Sequence, residues 1–152
     1  MANERHALLV ATNIYEDPAL KELRAPAGDA SALREVLADP SIGDFHVREP
    51  LIDRPSYVIN EEIEGFFCDA DLTDLLLLYV SCHGVRGPGG RLYFATRNTK
   101  MGRLFLTAVG ESHVNNSMGQ SRARSIVLML DCCHSGAFRG SDHKSAKTNA
   151  TR

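Results

Sequence analysis

Two stretches decide the fold: Leu75-Leu76-Leu77-Leu78-Tyr79-Val80-Ser81-Cys82-His83-Gly84, and Ile126-Val127-Leu128-Met129-Leu130-Asp131-Cys132-Cys133-His134-Ser135-Gly136. Each opens with an uninterrupted apolar run, too short for a membrane span and lacking the alternation of a strand wetted on one face. Each therefore reads as a β-strand buried on both faces, the kind found inside parallel sheets. Both runs then pass directly into small, polar and sulfur-bearing residues. Ligand sites of open α/β sheets lie at the carboxyl ends of strands, so the chemistry is expected where these two strands stop.

Working outward, His6 to Thr12 is a third buried run, strand one of the sheet. From Gly28 to Asp39, Ala30, Leu33, Val36 and Leu37 fall on one helical stripe, with Asp29 where an N-cap would stand. Phe45 to Ile52 reads as another strand. Asp53-Arg54-Pro55 then starts a helix whose apolar face is Ile59, Ile63, Phe66 and Phe67, leaving Glu61, Glu62 and Glu64 wet. Between the two deciding strands lie a glycine-rich loop (Gly84 to Gly90), a short strand or hairpin arm (Arg91 to Ala95) and a helix candidate (Leu106 to Asn116). After Phe138 the chain is polar without periodicity, as in an exposed loop. Alternating strands and helices without internal repeats predict an α/β sandwich with a mainly parallel sheet.

Composition narrows the function classes. The 152 residues, 43% apolar and 24% charged, suit a single globular domain with a real core. A net charge of -2, with acids and bases interspersed, argues for no nucleic acid partner. Met1 to Val10 lacks a signal-peptide layout and no run spans a membrane, so a cytoplasmic protein with no membrane partner is expected. The four cysteines (Cys68, Cys82, Cys132, Cys133) then read as free thiols, two of them adjacent and ill suited to a disulfide framework.

Parallel neighbouring strands lie about 5 Å apart. If the two deciding strands are neighbours, His83 and Cys133 emerge at one edge of the sheet, within reach of a shared substrate carbonyl, as a thiol nucleophile and its base require. A cysteine attacks as thiolate, favoured by a nearby histidine or helix N-terminus, and a helix beginning at Gly136 would provide the latter. Backbone N–H groups beside a nucleophile stabilise the tetrahedral oxyanion; Gly84 and Cys133 are the natural donors, because glycine lets a substrate approach the backbone closely.

Taken together, strand-Ser-x-His-Gly (Ser81 to Gly84) and strand-Asp-x-Cys-His-Ser-Gly (Asp131 to Gly136) resemble the metacaspases and related bacterial caspase-like cysteine peptidases. The interval from His83 to Cys133 also matches the spacing of about 50 residues in caspases. The likeness runs from Leu8 to about Gly140. It implies a caspase-like three-layer α/β/α sandwich, with a large-subunit catalytic domain over residues 1–140 and a polar linker over 141–152. It also implies that Cys133, immediately before His134, is the nucleophile, and that Asp131 and Asp29 line an S1 pocket for Arg or Lys. On this reading Cys133 attacks the peptide carbonyl; His83 protonates the leaving amine and then activates the water that releases the acyl-enzyme. That chemistry requires no cofactor. Calcium activation is known among metacaspases and stays open here, although this segment shows no convincing calcium loop.

The resemblance further implies a small-subunit (p10-like) fragment as partner, a protein or peptide substrate, and a role in bacterial defence or regulated cell death. No recruitment domain is expected ahead of strand one. Arg152 ends a loop-like stretch where an enzyme preferring basic residues would process itself; the alternative is an arbitrary boundary in that loop. Two departures stand out: Cys82 takes a position usually held by glycine, and Ala25-Pro26-Ala27-Gly28-Asp29-Ala30 lacks the Cys and Asn that commonly precede this Asp.

Plainer readings accompany each residue. His83 would merely close a strand, Asp29 would cap a helix, Asp131 would cap a turn, Cys132 would pack beneath the site, His134 would be structural, and Cys68 would join the core near Phe66 and Phe67. Competing functions are a catalytically silent caspase-fold binding module and a Cys/His metal-binding module using Cys82, His83, Cys132, Cys133 and His134. The latter conflicts with the ligand pairs two to four residues apart that structural zinc sites present. A redox pair of Cys82 and Cys132 is a secondary alternative.

Overall fold

The computed structural model describes residues 3–133, 138 and 145–149. Four strands of the central sheet are parallel: β1 (Arg5–Ala11), β2 (His46–Val47), β3 (Leu51–Ile52) and β4 (Leu75–Ser81) form one half, with both short strands pairing along β1. A hairpin of β5 (Gly84–Arg86) and β6 (Leu92–Phe94), joined antiparallel by β7 (Val109–Gly110), makes a second, three-stranded sheet. The central sheet resumes with β8 (Ser125–Asp131) beside β4 and ends with β9 (Ser145–Asn149), giving the order β2-β1-β4-β8-β9.

Alternation along the strands sorts the core into two layers. Leu8, Val10, Leu76, Leu78, Val80, Ile126, Leu128 and Leu130 face the helices α2 (Ser56–Cys68) and α4 (Glu111–Gln120). Ala7, Leu9, Ala11, Leu77 and Tyr79 face α1 (Pro26–Ala38). This period of two across an eclipsed parallel register produces the expected three-layer α/β/α sandwich. Every fully buried Leu or Phe adds roughly 1.5–3 kcal/mol by leaving water, and Phe66, Phe67, Leu8 and Leu78 are among the most completely covered.

Several expectations are corrected. Helix α1 starts two residues before Gly28, its N-cap is Ala25, and Asp29 lies inside the first turn, donating its N–H to the Ala25 carbonyl. Pro26 supplies a φ already suited to helix entry, and the Asn13 side chain takes the cap's place, its Oδ1 accepting from Ala27 N–H at 2.9 Å. Val36 is 47% exposed, off the buried stripe that Ala30 and Leu37 make. The strand expected over Phe45 to Ile52 is two short strands, their registers to β1 offset by one residue across Arg48-Glu49-Pro50, because Pro50 has no N–H for the ladder. The glycine-rich loop contains β5 and a 3-10 turn (Pro88–Gly90). The helix candidate over Leu106 to Asn116 resolves into a short α3 (Leu104–Thr107), β7 and α4. Cys68 is exposed at the end of α2.

Strand β9 lies within the stretch expected to be loop. The outer edge of β8 presents a row of backbone donors and acceptors that must be satisfied. A neighbouring segment satisfies them through its own backbone, so residues 145–149 pair with β8 without an apolar pattern in their sequence. His134, Gly136 with its expected helix start, and Arg152 lie outside the described residues.

Candidate active site

Register brings the two deciding strands level. Ala11 pairs with Ser81, and Ser81 with Asp131, so three strand ends form one line across the sheet. His83 and Cys133 each lie two residues beyond that line. Beyond it the backbones close up: a Cβ built at Gly84 would overlap the Cys133 carbonyl and approach the Cys132 Sγ at 3.3 Å. Only glycine allows this approach. Ala95 N–H donates to the His83 carbonyl at 2.9 Å, making the facing Gly84 and Phe94 a non-hydrogen-bonded pair. The Gly84 N–H is therefore directed away from β6, to the open edge of the hairpin.

The His83 imidazole is held from the β1–α1 loop. Its Nε2 lies 2.6 Å from the Lys21 carbonyl oxygen. A carbonyl only accepts, so Nε2 carries the proton and the neutral ring has its lone pair on Nδ1. The Tyr15 ring packs against the imidazole, centroids 5.0 Å apart, while the Tyr15 hydroxyl accepts from His83 N–H and donates to the Thr12 carbonyl, both at 3.0 Å. Burial first, then the adjacent Cys82, push this hydroxyl well above the ordinary phenol range, so it remains a proton donor. Asp53, at a φ of 51°, orients the loop itself: its Oδ1 accepts from the N–H groups of Asn13 (2.7 Å) and Ile14 (3.0 Å).

Three thiols lie at this edge and differ in environment. Cys82 is buried in the core and its thiol is pushed far up, chiefly by burial and then by Cys132. Cys132 packs against the same core, and burial, then Cys133, raises it to about 12. Cys133 is exposed. Among the described residues no three His, Cys, Asp or Glu side chains gather as metal ligands. Asp131 is half-buried at the end of β8, and Asp29 stands exposed in the first turn of α1, whose start Asn13 ties to the same edge.

The family model for the caspase domain matches residues 4–151. The chain belongs to the caspase-domain family. Cysteine peptidases make up that family. Solved structures share this domain's fold: protein GSU0716 from Geobacter sulfurreducens (18% identity, TM-score 0.67, 91% of this chain and 52% of that one), pro-sf-caspase-1 (16%, 0.64, 100% and 55%) and caspase-1 from Spodoptera frugiperda (16%, 0.57, 84% and 47%). This caspase domain thus spans about half the length of the structures it matches. No curated protein matches it. Among the described residues no helix is long and apolar enough to cross a membrane.

The sequence motifs of this caspase domain point to His83, Gly84, Asp29, Asp131 and Cys133 as site residues, but not to Tyr15, Lys21, Asn13 or Asp53. Asp53 did carry a local signal, as the start of the Asp-Arg-Pro helix entry. Lys21 acts through its backbone carbonyl, which every residue has, so no side-chain pattern announces it.

Proposed function

We propose that the protein is a cysteine endopeptidase in which Cys133 is the nucleophile and His83 its acid and base. The observation that carries this is the strand register levelling Ser81 with Asp131, together with the His83 Nε2 to Lys21 hydrogen bond that turns the ring's basic nitrogen, Nδ1, free for proton transfer. Cys133 is favoured over Cys132 because it is exposed, whereas burial keeps Cys132 a thiol. The lone pair of His83 Nδ1 takes the Cys133 thiol proton as Sγ attacks the peptide carbonyl; that proton passes to the departing amine, leaving a thioester; Nδ1 then takes a proton from the water that hydrolyses the thioester and returns it to the released Cys133 thiolate. The N–H groups of Gly84 and Cys133 receive the oxyanion. Asp131 and Asp29 form the S1 pocket for Arg or Lys, to whose charged heads carboxylates offer charge-assisted hydrogen bonds. A small-subunit segment completes the substrate groove, in keeping with the greater length of the solved structures that share the fold.

The test is a fluorogenic panel with P1 Arg, Lys, Asp and Ala, read with the complete protein and its variants. Arg and Lys substrates are expected to be cleaved, Cys133→Ala to abolish turnover, and Asp131→Ala to lower kcat/KM for Arg about 30-fold, equivalent to about 2 kcal/mol for one charged hydrogen bond. Turnover surviving in Cys133→Ala sinks the nucleophile assignment, and preferential cleavage after Asp sinks the pocket.

A further inference from the structure

Charge in this chain is segregated in one place. From Gly84 to Gly110 there are five basic residues, Arg86, Arg91, Arg97, Lys100 and Arg103, and no acidic one, in a chain whose net charge is -2. Arg97 lies 3.9 Å from Glu16. The other four make no ion pair among the described residues. The nearby Asp17 is already engaged, its two oxygens accepting from Met101 N–H and Ala19 N–H.

The same segment carries the most exposed large apolar side chains of the described residues: Phe105 is 82% and Leu106 74% exposed, with Met101 at 38%. Together with Arg91, Tyr93 and Arg103 they line an open groove of about 790 Å³. Its floor is the Tyr93 ring, packed so closely on Gly87 that a Cβ there would come within 2.6 Å of it. A second cleft of about 260 Å³, sharing Arg91, Tyr93 and Phe105, continues it toward Glu111 and His113 on α4.

This exposure belongs to a tied-down turn. Thr107 Oγ1 donates to the Arg103 carbonyl at 2.7 Å and accepts from Lys100 N–H at 2.9 Å, while its own carbonyl accepts from Thr99 Oγ1 at 2.7 Å. Ala108 N–H donates to the Leu104 carbonyl and Met101 N–H to Asp17. A preorganised surface binds without the entropy cost of ordering itself. Solvent-facing Phe and Leu side by side, rimmed by unpaired guanidiniums, fit a partner with alternating large apolar and acidic side chains. The apolar wall is largely aliphatic (Met101, Leu104, Leu106), which suits a peptide better than stacked bases.

We propose that this groove docks an acidic peptide segment bearing large apolar side chains, presented by the protein that the enzyme cleaves and lying outside the residues around the scissile bond. The β5–β6 hairpin begins at Gly84, beside His83, and at about 3.4 Å per residue its three-residue arm sets the groove roughly 10 Å from the site. One substrate chain can therefore span both. Docking itself stands apart from the peptidase reading; only the naming of the substrate as its source rests on that reading.

The experiment has two arms. In the complete protein carrying Cys133→Ala, fluorescence anisotropy follows a fluorescein-labelled peptide alternating Glu with Phe and Leu. The controls have Lys in place of Glu, or Ala in place of Phe and Leu; a labelled single-stranded oligonucleotide is the third. The acidic, apolar peptide is expected to bind about tenfold more tightly than any control, with loss on Phe105→Ser or Arg103→Glu and weakening by salt. Equal binding of the Lys peptide, insensitivity to both substitutions, or tighter binding of the oligonucleotide overturns the proposal. So does concentration-dependent self-association that Phe105→Ser removes, which would make a second copy the occupant. In the active protein, a P1-Arg substrate extended by the acidic, apolar segment is expected to show a KM about tenfold below that of the short peptide. Phe105→Ser and Arg103→Glu should erase that advantage while leaving short-peptide turnover unchanged, which also certifies their fold. Binding without cleavage of either substrate would keep the docking site and count against the peptidase reading, and with it against the substrate as the source of the docked segment.

Discussion

Tyr15 has more consequence for the candidate site than its lone place in the sequence announces. One hydroxyl joins the Thr12 carbonyl to the His83 N–H, and its ring backs the imidazole. Removing the oxygen leaves two backbone groups without a partner, which costs about 1–3 kcal/mol. Tyr15→Phe is therefore expected to lower the urea midpoint and, by loosening His83, to depress kcat more than KM; an unchanged kcat would show that the Lys21 carbonyl alone aligns the ring. At this scale the motif residues His83 and Cys133 were legible because their side chains are chemically rare and sit directly after buried runs. Lys21 and Tyr15 were not, since one contributes a backbone oxygen and the other a contact made 68 residues away.

Both long helices α1 and α2 are capped from a distance. Ala25 and Pro55 have no side chain able to accept a hydrogen bond, and Asn13 Oδ1 and Asn98 Oδ1 reach across to Ala27 N–H and Ser56 N–H. Asn13→Ala should cost about 1 kcal/mol, as other cap losses do, and lower Tm by about 2–4 °C for a domain of this size. A calorimetric scan checks it. A shift of nearly zero would mean that Pro26 sets the helix start unaided. Apolar period placed the long strands β1, β4 and β8 and the Ile59, Ile63, Phe66, Phe67 face of α2. It misjudged the ends: Asp29 was assigned the cap because its own residue type favours capping, whereas the true cap comes from another loop.

Protonation of the buried thiols links the site to the stability of the whole molecule. Burial raises Cys132 from the ordinary 9.0 to about 12, and Cys82 shifts in the same direction. Above pH 9 the unfolded chain loses these protons while the folded chain keeps them, so the unfolded state binds fewer protons and stability falls with rising pH. The urea midpoint is thus expected to drop between pH 9 and pH 12, and to drop less in Cys132→Ala; an identical decline in that variant would remove Cys132 as a cause. The sequence by itself determined the buried strands, the helix faces and the pairing of a histidine motif with a cysteine motif, because hydrophobic period and rare reactive side chains are local properties. Tertiary structure alone decided the level register of Ser81 and Asp131, the clasp of Lys21 and Tyr15 on His83, and the pairing of β9 with β8. Each has a backbone N–H or C=O as at least one partner, a group every segment offers alike, so they form only where folding brings distant segments side by side.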